Sequence, residues 1–199
     1  MILVIGEILF DLFPNYKRLG GAPFNFAYHL RNFGFDVRFV SRIGTDGPGR
    51  EILYEMELAR FNLDDIQLDE DHPTGSVNVQ LDKSGASRFD IISDVAYDYI
   101  DFIPGYHSSL INAAQMVYFG MLIQRSKSVC QNLQAFISHN EPETLNFYDI
   151  NLRPRCYSNV IIEKSLLKTD ILKRVCEIKG AIPESASFYE PFKALIEDN

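Results

Sequence analysis

The sequence has no long apolar run and no basic leader segment. No stretch approaches the roughly 18 apolar residues that a helix needs to cross a bilayer. The opening residues MILVIGE lack both the basic start and the length of a signal peptide. We therefore expect a globular protein with no membrane partner, located in the cytoplasm.

Cysteine and histidine are also scarce and poorly placed for metal binding. Cys130, Cys156 and Cys176 are scattered and form no CxxC pair, which argues against a disulfide framework or a zinc cluster. The 4 histidines include no HExxH motif. The sequence predicts no metal site built from protein ligands alone.

Basic residues are outnumbered, with 19 Lys and Arg against 27 Asp and Glu, giving a formal net charge of −8. This balance argues against nucleic acid as a partner, because such binding depends on basic side chains that displace counterions from phosphates. A small anion could still bind at a local patch. Arg153 with Arg155 is the tightest candidate, although neighbouring arginines are also common on solvated surfaces.

The 199 residues, of which 46% are hydrophobic, suffice for one domain with a substantial core. Predicted strands alternate with predicted helices, which is typical of an α/β fold with a largely parallel sheet. The predicted strands are ILVIGEILFDLF, continuing past a glycine, then VRFVSRIG, MVYFGMLI and TLNFYDINLRP. The predicted helices include 23–33, REILYEMELARF and SKSVCQNLQAFISHN.

The helix over 23–33 has Pro23 at its first position and Gly34 just past its end. Helical spacing directs three apolar residues to the core: Phe26, Leu30 and Phe33.

A β-hairpin interrupts the alternation of strands and helices. Val77, Val79 and Leu81 alternate with polar residues, and a Lys-Ser-Gly turn leads to a partner strand around Phe89 and Ile91. We interpret this hairpin as an excursion from the main sheet.

Polar residues and glycines follow several predicted strands, where ligands of parallel sheets bind. The segment GGAPFN matches neither GxGxxG nor a P-loop. Asn25 offers donors and acceptors that suit neutral hydroxyl groups better than phosphate, or it caps its own helix. Asp11 interrupts an apolar strand, which allows two interpretations. Either Asp11 lines a polar cleft and binds sugar hydroxyls, or it faces water from an edge strand.

In YDINLRP, Asp149, Asn151 and Arg153 alternate and would project from one face of a strand. A carboxylate, an amide and a guanidinium together could meet hydroxyls and a phosphate. The alternative is a structural salt bridge between Asp149 and Arg153.

Taken together, the chain resembles the ribokinase-like (PfkB) family of carbohydrate kinases, most closely its fructokinases. The resemblance rests on five segments in family order over about residues 1–173: GEILFDLFP, GGAPFNFAYHLRNFG, SRIGTDGPGREIL, HPTGSVNVQLDKSGASRF and YDINLRP. It implies a doubly wound, mainly parallel sheet flanked by helices, with a small β lid at about 74–100 that closes over the sugar and often mediates homodimerisation.

The resemblance also assigns site residues. Asp11, Gly20, Gly21 and Asn25 match positions that hold sugar hydroxyls, and Phe89 matches a lid residue that packs on the sugar. Asn151 and Arg153 match residues that face the substrate and the transferred phosphoryl group, and Asp149 accompanies them as a substrate-binding candidate. Arg153 would assist the transfer.

The sequence departs from the family where the nucleotide should bind. Family members use ATP and Mg²⁺, with a late Gly-Ala-Gly-Asp motif and an Asn-x-x-Glu motif that this chain lacks after DILK. Residues 174–199 resemble the family's last helix and tail. We therefore expect a junction near Lys173 and Arg174, caused by a deletion, by a gene-model error, or by residues that were left out before the chain was renumbered. We also expect that this chain alone binds no nucleotide.

Several functions remain open. The chain represents an ATP-dependent sugar kinase of fructokinase type in incomplete and inactive form, or a sugar-binding or dimerising module without chemistry. Ribose, nucleosides and other hexoses are alternative substrates. A further possibility is that the chain as written does not fold stably, because a lost segment would expose a sheet edge.

Overall fold

Two separate β-sheets organise the part of the chain that the structure describes. The computed structural model describes residues 1–81, 87–103, 105–139, 143–149 and 151, which lie within one compact unit bounded by Met1 and Cys156. In chain order the elements are β1 (Ile2–Ile5), β2 (Leu9–Leu12), β3 (Lys17–Gly20), α1 (Ala22–Asn32), β4 (Val37–Gly44), α2 (Gly47–Leu58), β5 (Ile66–Asp69), β6 (Ser76–Leu81), β7 (Ser87–Ile91), α3 (Tyr106–Ala113), β8 (Met116–Gly120), α4 (Lys127–Ile137) and β9 (Leu145–Asp149). Short 3-10 helices lie at Leu63–Asp65, Ala96–Tyr99 and Leu122–Arg125.

The larger sheet has the strand order β5-β4-β1-β8-β9, and every neighbouring pair in it is parallel. Strand β1 is central, with Val4 paired to Phe39 on one side and to Tyr118 on the other. Parallel neighbours need crossover connections, which the helices supply. The predicted α/β fold with a mainly parallel sheet is therefore confirmed.

The smaller sheet has the order β3-β2-β6-β7, with β2 and β6 parallel and the other pairs antiparallel. Its β6-β7 pair is the predicted hairpin, whose Lys-Ser-Gly turn lies outside the described residues. The prediction of one strand through ILVIGEILFDLF was wrong. The chain leaves the larger sheet after Ile5, and β2 begins at Leu9 in the smaller sheet. Both halves are apolar because β1 and the first half of β2 are buried, so hydrophobicity alone gave no sign of the division.

Two other strand predictions were too long. MVYFGMLI forms a strand only to Gly120, after which a 3-10 turn begins at Leu122. The strand predicted through TLNFYDINLRP ends at Asp149. Strand β3, strand β5 and helix α3 were not predicted, because each is short and lacks a clear apolar period.

Helices α1 and α2 cover one face of the larger sheet. Phe24 of α1 is buried among the rings of Phe39 and Phe61, with centroid distances of 5.7 Å to each. Ile52 and Met56 of α2 belong to the same apolar cluster. The opposite face is also buried, and there α3 and α4 pack against each other and contribute four buried apolar residues, Leu110, Ile111, Val129 and Leu133. No helix in the described ranges has the length and apolar character to cross a membrane.

The prediction that Phe33 faces the core was wrong. Helix α1 ends at Asn32, Phe33 is its C-cap, and the Phe33 side chain is 77% exposed. Gly34 follows with a φ of 86°, as its predicted position past the helix end requires. Because helical spacing no longer applies once the chain leaves the helix, Phe33 is directed to solvent, whereas Phe26 and Leu30 pack partly buried against the core.

Substitutions at two phenylalanines of this region test the assignment. We expect Phe24→Ala to lower the free energy of unfolding by about 3–5 kcal/mol, because it leaves a cavity among buried rings. We expect Phe33→Ala to change it by less than about 0.5 kcal/mol. Urea denaturation of both variants measures this difference, and comparable losses in the two would contradict the described burial.

Candidate functional site

Among the described strands of the larger sheet, the order of connection reverses once, between β1 and β8, and the crevice that accompanies such a reversal lies at the carboxyl ends of these two strands. From β1 the chain continues to β4 and β5 on one side, and β8 continues to β9 on the other side. Connections therefore leave the carboxyl ends of β1 and β8 in opposite directions, and ligands of such sheets bind at this switch point. Gly6 follows β1 and Gly120 ends β8, so two residues without side chains stand at the mouth of the crevice.

The start of helix α1 packs on these two glycines. A Cβ atom on Gly6 would lie 2.2 Å from Cγ of Pro23, and a Cβ on Gly120 would lie 3.1 Å from the same atom. Pro23 is itself buried and occupies the second position of α1, one place later than predicted. The beginning of the helix is therefore held directly over the ends of β1 and β8.

The Gly20–Gly21 turn joins the smaller sheet to α1. Gly21 has a φ of 105°, and a Cβ there would lie 2.5 Å from the backbone oxygen of Glu7. A left-handed φ and so close an approach both require glycine. Gly20 borders Asp11, since a Cβ on Gly20 would lie 2.7 Å from Asp11 Oδ2. The turn thus passes close to both Glu7 and Asp11.

Asp11 lies on β2, an inner strand of the smaller sheet, so the edge-strand alternative for this residue was wrong. Its side chain is 17% exposed, and Oδ2 lies 3.7 Å from the guanidinium of Arg18. Asp11 pairs with Val77, which pairs with Ile91, and Phe89 lies two residues before Ile91 on β7. Asp11 and Phe89 therefore share one face of this sheet.

Asn25 is exposed in the first turn of α1, and its backbone N–H donates to the Gly21 carbonyl at 2.9 Å. The N-cap of α1 is Gly21, and no side chain caps this helix. The alternative that Asn25 caps its own helix was therefore wrong. The structure thus places Asp11 beside Gly20, and Asn25 in the helical turn that follows Gly21.

The polar segment after β9 is only partly described. Asp149 ends the strand opposite Gly120 and accepts hydrogen bonds from the Tyr118 hydroxyl at 2.5 Å and from the Asn151 N–H at 3.1 Å. The bond from the Asn151 N–H turns the chain locally. The predicted arrangement of alternating residues on one face of the strand is therefore observed only up to Asp149. Arg153 lies outside the described residues. Asn151 is exposed.

Tyr118 was not singled out from the sequence, because it reads as an ordinary core residue of an apolar strand. Its ring stacks with those of Phe26 and Phe147, with centroid distances of 4.2 and 5.4 Å. Burial raises the pKa of its hydroxyl, and the hydrogen bond to Asp149 raises that pKa further. Tyr118 therefore stays protonated and acts as a fixed donor to Asp149.

Glu7 was not selected as a site residue from the sequence, yet its carboxyl is buried where the crevice begins, with the residue 5% exposed. Burial raises the pKa of Glu7 to about 8, and the charge of Asp149 adds to the rise. Backbone N–H groups of Glu7 and Ala22 and the charge of Arg125 oppose it. Oε2 of Glu7 is buried without a hydrogen-bond partner.

Another acidic residue after a strand, Asp46, has a structural role. Its carboxylate caps α2 by accepting the Gly49 N–H at 2.8 Å, and it accepts the Thr74 N–H and hydroxyl at 2.9 and 2.6 Å. These contacts bind α2 to the segment that enters the smaller sheet. Within the described residues, no group of three or more His, Cys, Asp or Glu side chains could hold a metal ion.

Comparison with known proteins identifies relatives of the chain. The family model described as pfkB family carbohydrate kinase matches residues 2–173. An uncharacterized sugar kinase from Pyrococcus horikoshii is 27% identical over 190 residues, covering 87% of this chain and 61% of that protein. A fructokinase from Salmonella typhimurium is 31% identical over 93 residues, covering 44% of this chain and 30% of that protein.

Solved structures agree in fold. The crystal structure of the Pyrococcus horikoshii protein has a TM-score of 0.74 at 26% identity, covering 85% of this chain and 64% of that one. A fructokinase from Xylella fastidiosa, crystallised with ATP, has a TM-score of 0.73 at 21% identity, covering 90% of this chain and 61% of that one. This chain spans less than two thirds of the length of either protein.

The buried Glu7 carboxyl predicts a specific dependence of stability on pH. In the unfolded chain Glu7 titrates near 4.5, whereas in the folded protein it keeps its proton to about pH 8. The stability that this group contributes is complete below pH 4.5 and is lost as the pH rises to about 8.

Glu7→Gln removes this titration, so we expect the stability of the variant relative to wild type to grow by a few kcal/mol between pH 5 and pH 9. Urea denaturation at several pH values measures the difference. Glu55→Gln, at an exposed site on α2, is the control and should run parallel to wild type. A constant difference between Glu7→Gln and wild type would refute the buried protonated state.

Proposed function

The chain belongs to the pfkB family of carbohydrate kinases. We therefore propose that the complete protein, of which this chain represents part, transfers the γ-phosphoryl group of ATP to a sugar hydroxyl. We further propose that the described residues form the sugar-binding part. The observation that carries this proposal is the approach of Asp11 to the Gly20–Gly21 turn beside the switch point of the sheet, with Asn25 in the helical turn that follows.

The sugar is proposed to be of the fructokinase class, bound by Asp11, the Gly20–Gly21 turn and Asn25, with Phe89 packing on it. A carboxylate accepts hydrogen bonds from adjacent hydroxyls, and an exposed amide both donates and accepts. Relatives named fructokinase support the class. Ribose, nucleosides and other hexoses remain alternative acceptors, because pocket shape decides among them.

On the acceptor side of the site, Asp149, Asn151 and Arg153 are proposed to face the substrate, with Arg153 assisting the transfer. Tyr118 supports this role for Asp149 by fixing the orientation of its carboxylate. Because Gly6 and Gly120 have no side chains, the start of α1 packs directly on them beside the same crevice.

ATP and Mg²⁺ are the proposed cofactors of the whole enzyme, and one solved relative is described in complex with ATP. The residues of this chain do not form a binding site for ATP and Mg²⁺. The sequence lacks Gly-Ala-Gly-Asp, and the described residues offer no cluster of metal-binding side chains. We therefore propose that this chain by itself binds sugar and does not catalyse transfer, with a junction near residue 173 and a tail over 174–199.

A second candidate function is a sugar-binding module without chemistry. The same missing Gly-Ala-Gly-Asp motif favours it, because transfer to a hydroxyl depends on a base and an anion-stabilising site. Resequencing the source gene distinguishes the two: a longer product that contains this motif supports the kinase, and an unchanged gene supports the module.

Calorimetry tests the sugar site directly. We expect the chain to bind fructose, and Asp11→Asn to weaken binding by about 10- to 100-fold, because a hydrogen bond to a charged group contributes about 1.5–3 kcal/mol. Asp36→Asn, at an exposed position, is the matched control and should bind like wild type.

ATP titrated alone should give no binding heat. Hydrolysis of ATP coupled to sugar would overturn the proposed inactivity, and failure to bind any sugar would overturn the sugar site.

We also propose that the smaller sheet mediates a homodimer. Among the described strands of this sheet β7 is an edge, and Arg88, Phe89 and Asp90 on it are exposed, so this edge is a candidate for pairing with a second copy. Light scattering should give twice the chain mass for wild type. Asp90→Pro should give the monomer mass, because proline blocks pairing at an edge strand. A monomeric wild type would contradict the proposal.

A further inference from the structure

Two chain segments meet at the base of the β6-β7 hairpin. The entry segment, residues 70–75, leads from β5 into β6, and the return segment, residues 92–95, leads from β7 to the 3-10 helix Ala96–Tyr99. The Ala96 N–H donates to the Pro73 carbonyl at 2.9 Å, so the backbones already touch at one point. A movement of β6 and β7 against the larger sheet therefore changes the geometry at which these two segments meet.

His72 lies in the entry segment, and Asp69 fixes its ring from one side. Nδ1 lies 3.1 Å from both carboxylate oxygens of Asp69. Arg42 Nε donates to the same carboxylate at 2.7 Å, which keeps it paired with a cation. A carboxylate accepts hydrogen bonds and does not donate them. Nδ1 of His72 therefore carries a proton, and Nε2 is the atom that gains or loses one as the pH changes.

Nε2 of the same ring faces the return segment. It lies 4.0 Å from Oδ1 of Asp94. That oxygen accepts a hydrogen bond from the Tyr99 hydroxyl at 2.6 Å. The Tyr99 ring in turn stacks on the imidazole, with a centroid distance of 3.7 Å and an interplanar angle of 18°. Tyr99 therefore holds the Asp94 carboxylate beside the Nε2 edge of His72.

Asp94 reaches this position through an unusual backbone conformation. Its φ is 61°, in the left-handed region that is uncommon for residues other than glycine. Aspartate and asparagine tolerate this region better than most side chains do. The return segment is thus bent at Asp94, and the contact with Tyr99 helps to hold the bend.

Ionisable groups reach the His72 ring from each described element that packs against it. Asp69 ends β5, where Arg42 of β4 pairs with it. The 3-10 helix brings Tyr99 and also Asp98, and Arg125 pairs with Asp98 at 2.7 Å. Because arginines balance the other two carboxylates, Asp94 of the return segment is the one whose charge His72 can balance.

The charge of His72 decides whether the two segments attract each other. A neutral ring presents the lone pair of Nε2 to the Asp94 carboxylate, and two acceptors form no hydrogen bond. A protonated ring is a cation between two carboxylates, which attract it. It also lies on the face of Tyr99, which favours a cation. Protonation therefore strengthens the contact between the entry and return segments.

We propose that His72 is a pH-sensitive clasp between the entry and return segments. The protonated ring bridges Asp69 and Asp94 and holds the segments together, whereas the neutral ring releases Asp94 and lets the return segment open more often. Histidine side chains change charge between about pH 5 and pH 8. The stabilisation is present at low pH and is lost as the pH rises. This role does not depend on what the smaller sheet binds.

Hydrogen exchange of two reporter amides in the full chain tests the clasp. The Ala96 N–H bonds to the entry segment, and the Ile92 N–H donates to the Ser76 carbonyl at 3.2 Å. NMR measures their protection, which is their exchange rate relative to that of an unstructured peptide at the same pH. The Leu145 N–H, on β9 of the larger sheet, donates to a backbone carbonyl at 2.9 Å and reports on the rest of the fold.

Relative to Leu145, we expect the reporter amides of wild type to be about two- to fivefold better protected at pH 5 than at pH 7.5, the size of an exposed ion pair. His72→Gln is neutral at both pH values and should show no difference. Asp94→Asn tolerates the same backbone conformation and should lose most of the difference. His29→Gln, an exposed histidine on α1, is the matched control and should behave like wild type.

Salt provides a test that needs no substitution. The Asp94 side chain is 75% exposed, so 1 M NaCl should screen the contact and remove most of the difference in wild type. Equal protection at both pH values in wild type overturns the clasp. A difference that persists in His72→Gln, or that is matched by Leu145, also overturns it. A difference that is lost in His72→Gln but complete in Asp94→Asn overturns the bridge to Asp94.

Discussion

The packing of the start of helix α1 on the ends of β1 and β8 is the contact on which the rest of the described structure depends. Pro23 fits against Gly6 and Gly120 because neither residue has a side chain. This packing brings the first turn of the helix to the switch point of a parallel sheet, where ligands bind. It also forces the chain before the helix to turn tightly over Glu7, which places the Gly20–Gly21 turn beside Asp11.

The second constraint is that two acidic residues, Glu7 and Asp149, lie next to this packing contact. Glu7 and Asp149 lie near each other at the carboxyl ends of their strands, where burial and like charge raise the pKa of Glu7 to about 8. Such an arrangement costs stability at neutral pH and above, and cost of this kind is typical of functional sites. The hydrogen bond from Tyr118 to Asp149 offsets part of it, as do the backbone N–H groups of Glu7 and Ala22, which favour the charged form of Glu7.

The two sheets are joined by a network that keeps the crevice in shape. Arg125 donates to both oxygens of Asp98 at 2.7 and 2.8 Å and to the Ile92 carbonyl at 2.7 Å, just where the chain returns from β7. Tyr97 of the same segment packs so closely on Gly75 that a Cβ there would lie 2.3 Å from its ring. Asp46 and Thr74 bind α2 to the entry of the smaller sheet. The chain segments that enter β6 and leave β7 are thus fixed by charge-assisted bonds and by close packing.

Local sequence patterns determined the α/β class, the hairpin, helix α1 and the candidate residues Asp11, Gly20, Gly21 and Asn25, because these depend on periodicity, turn residues and polar interruptions within a few positions. Only the tertiary structure decided that the first apolar run divides between two sheets, that Phe33 is exposed, and that Glu7 and Tyr118 are buried near Asp149. A buried carboxylic acid and an exposed one have the same letter in the sequence. Their difference arises from desolvation by segments more than 100 residues away, such as β8 and β9, and no local pattern encodes that proximity.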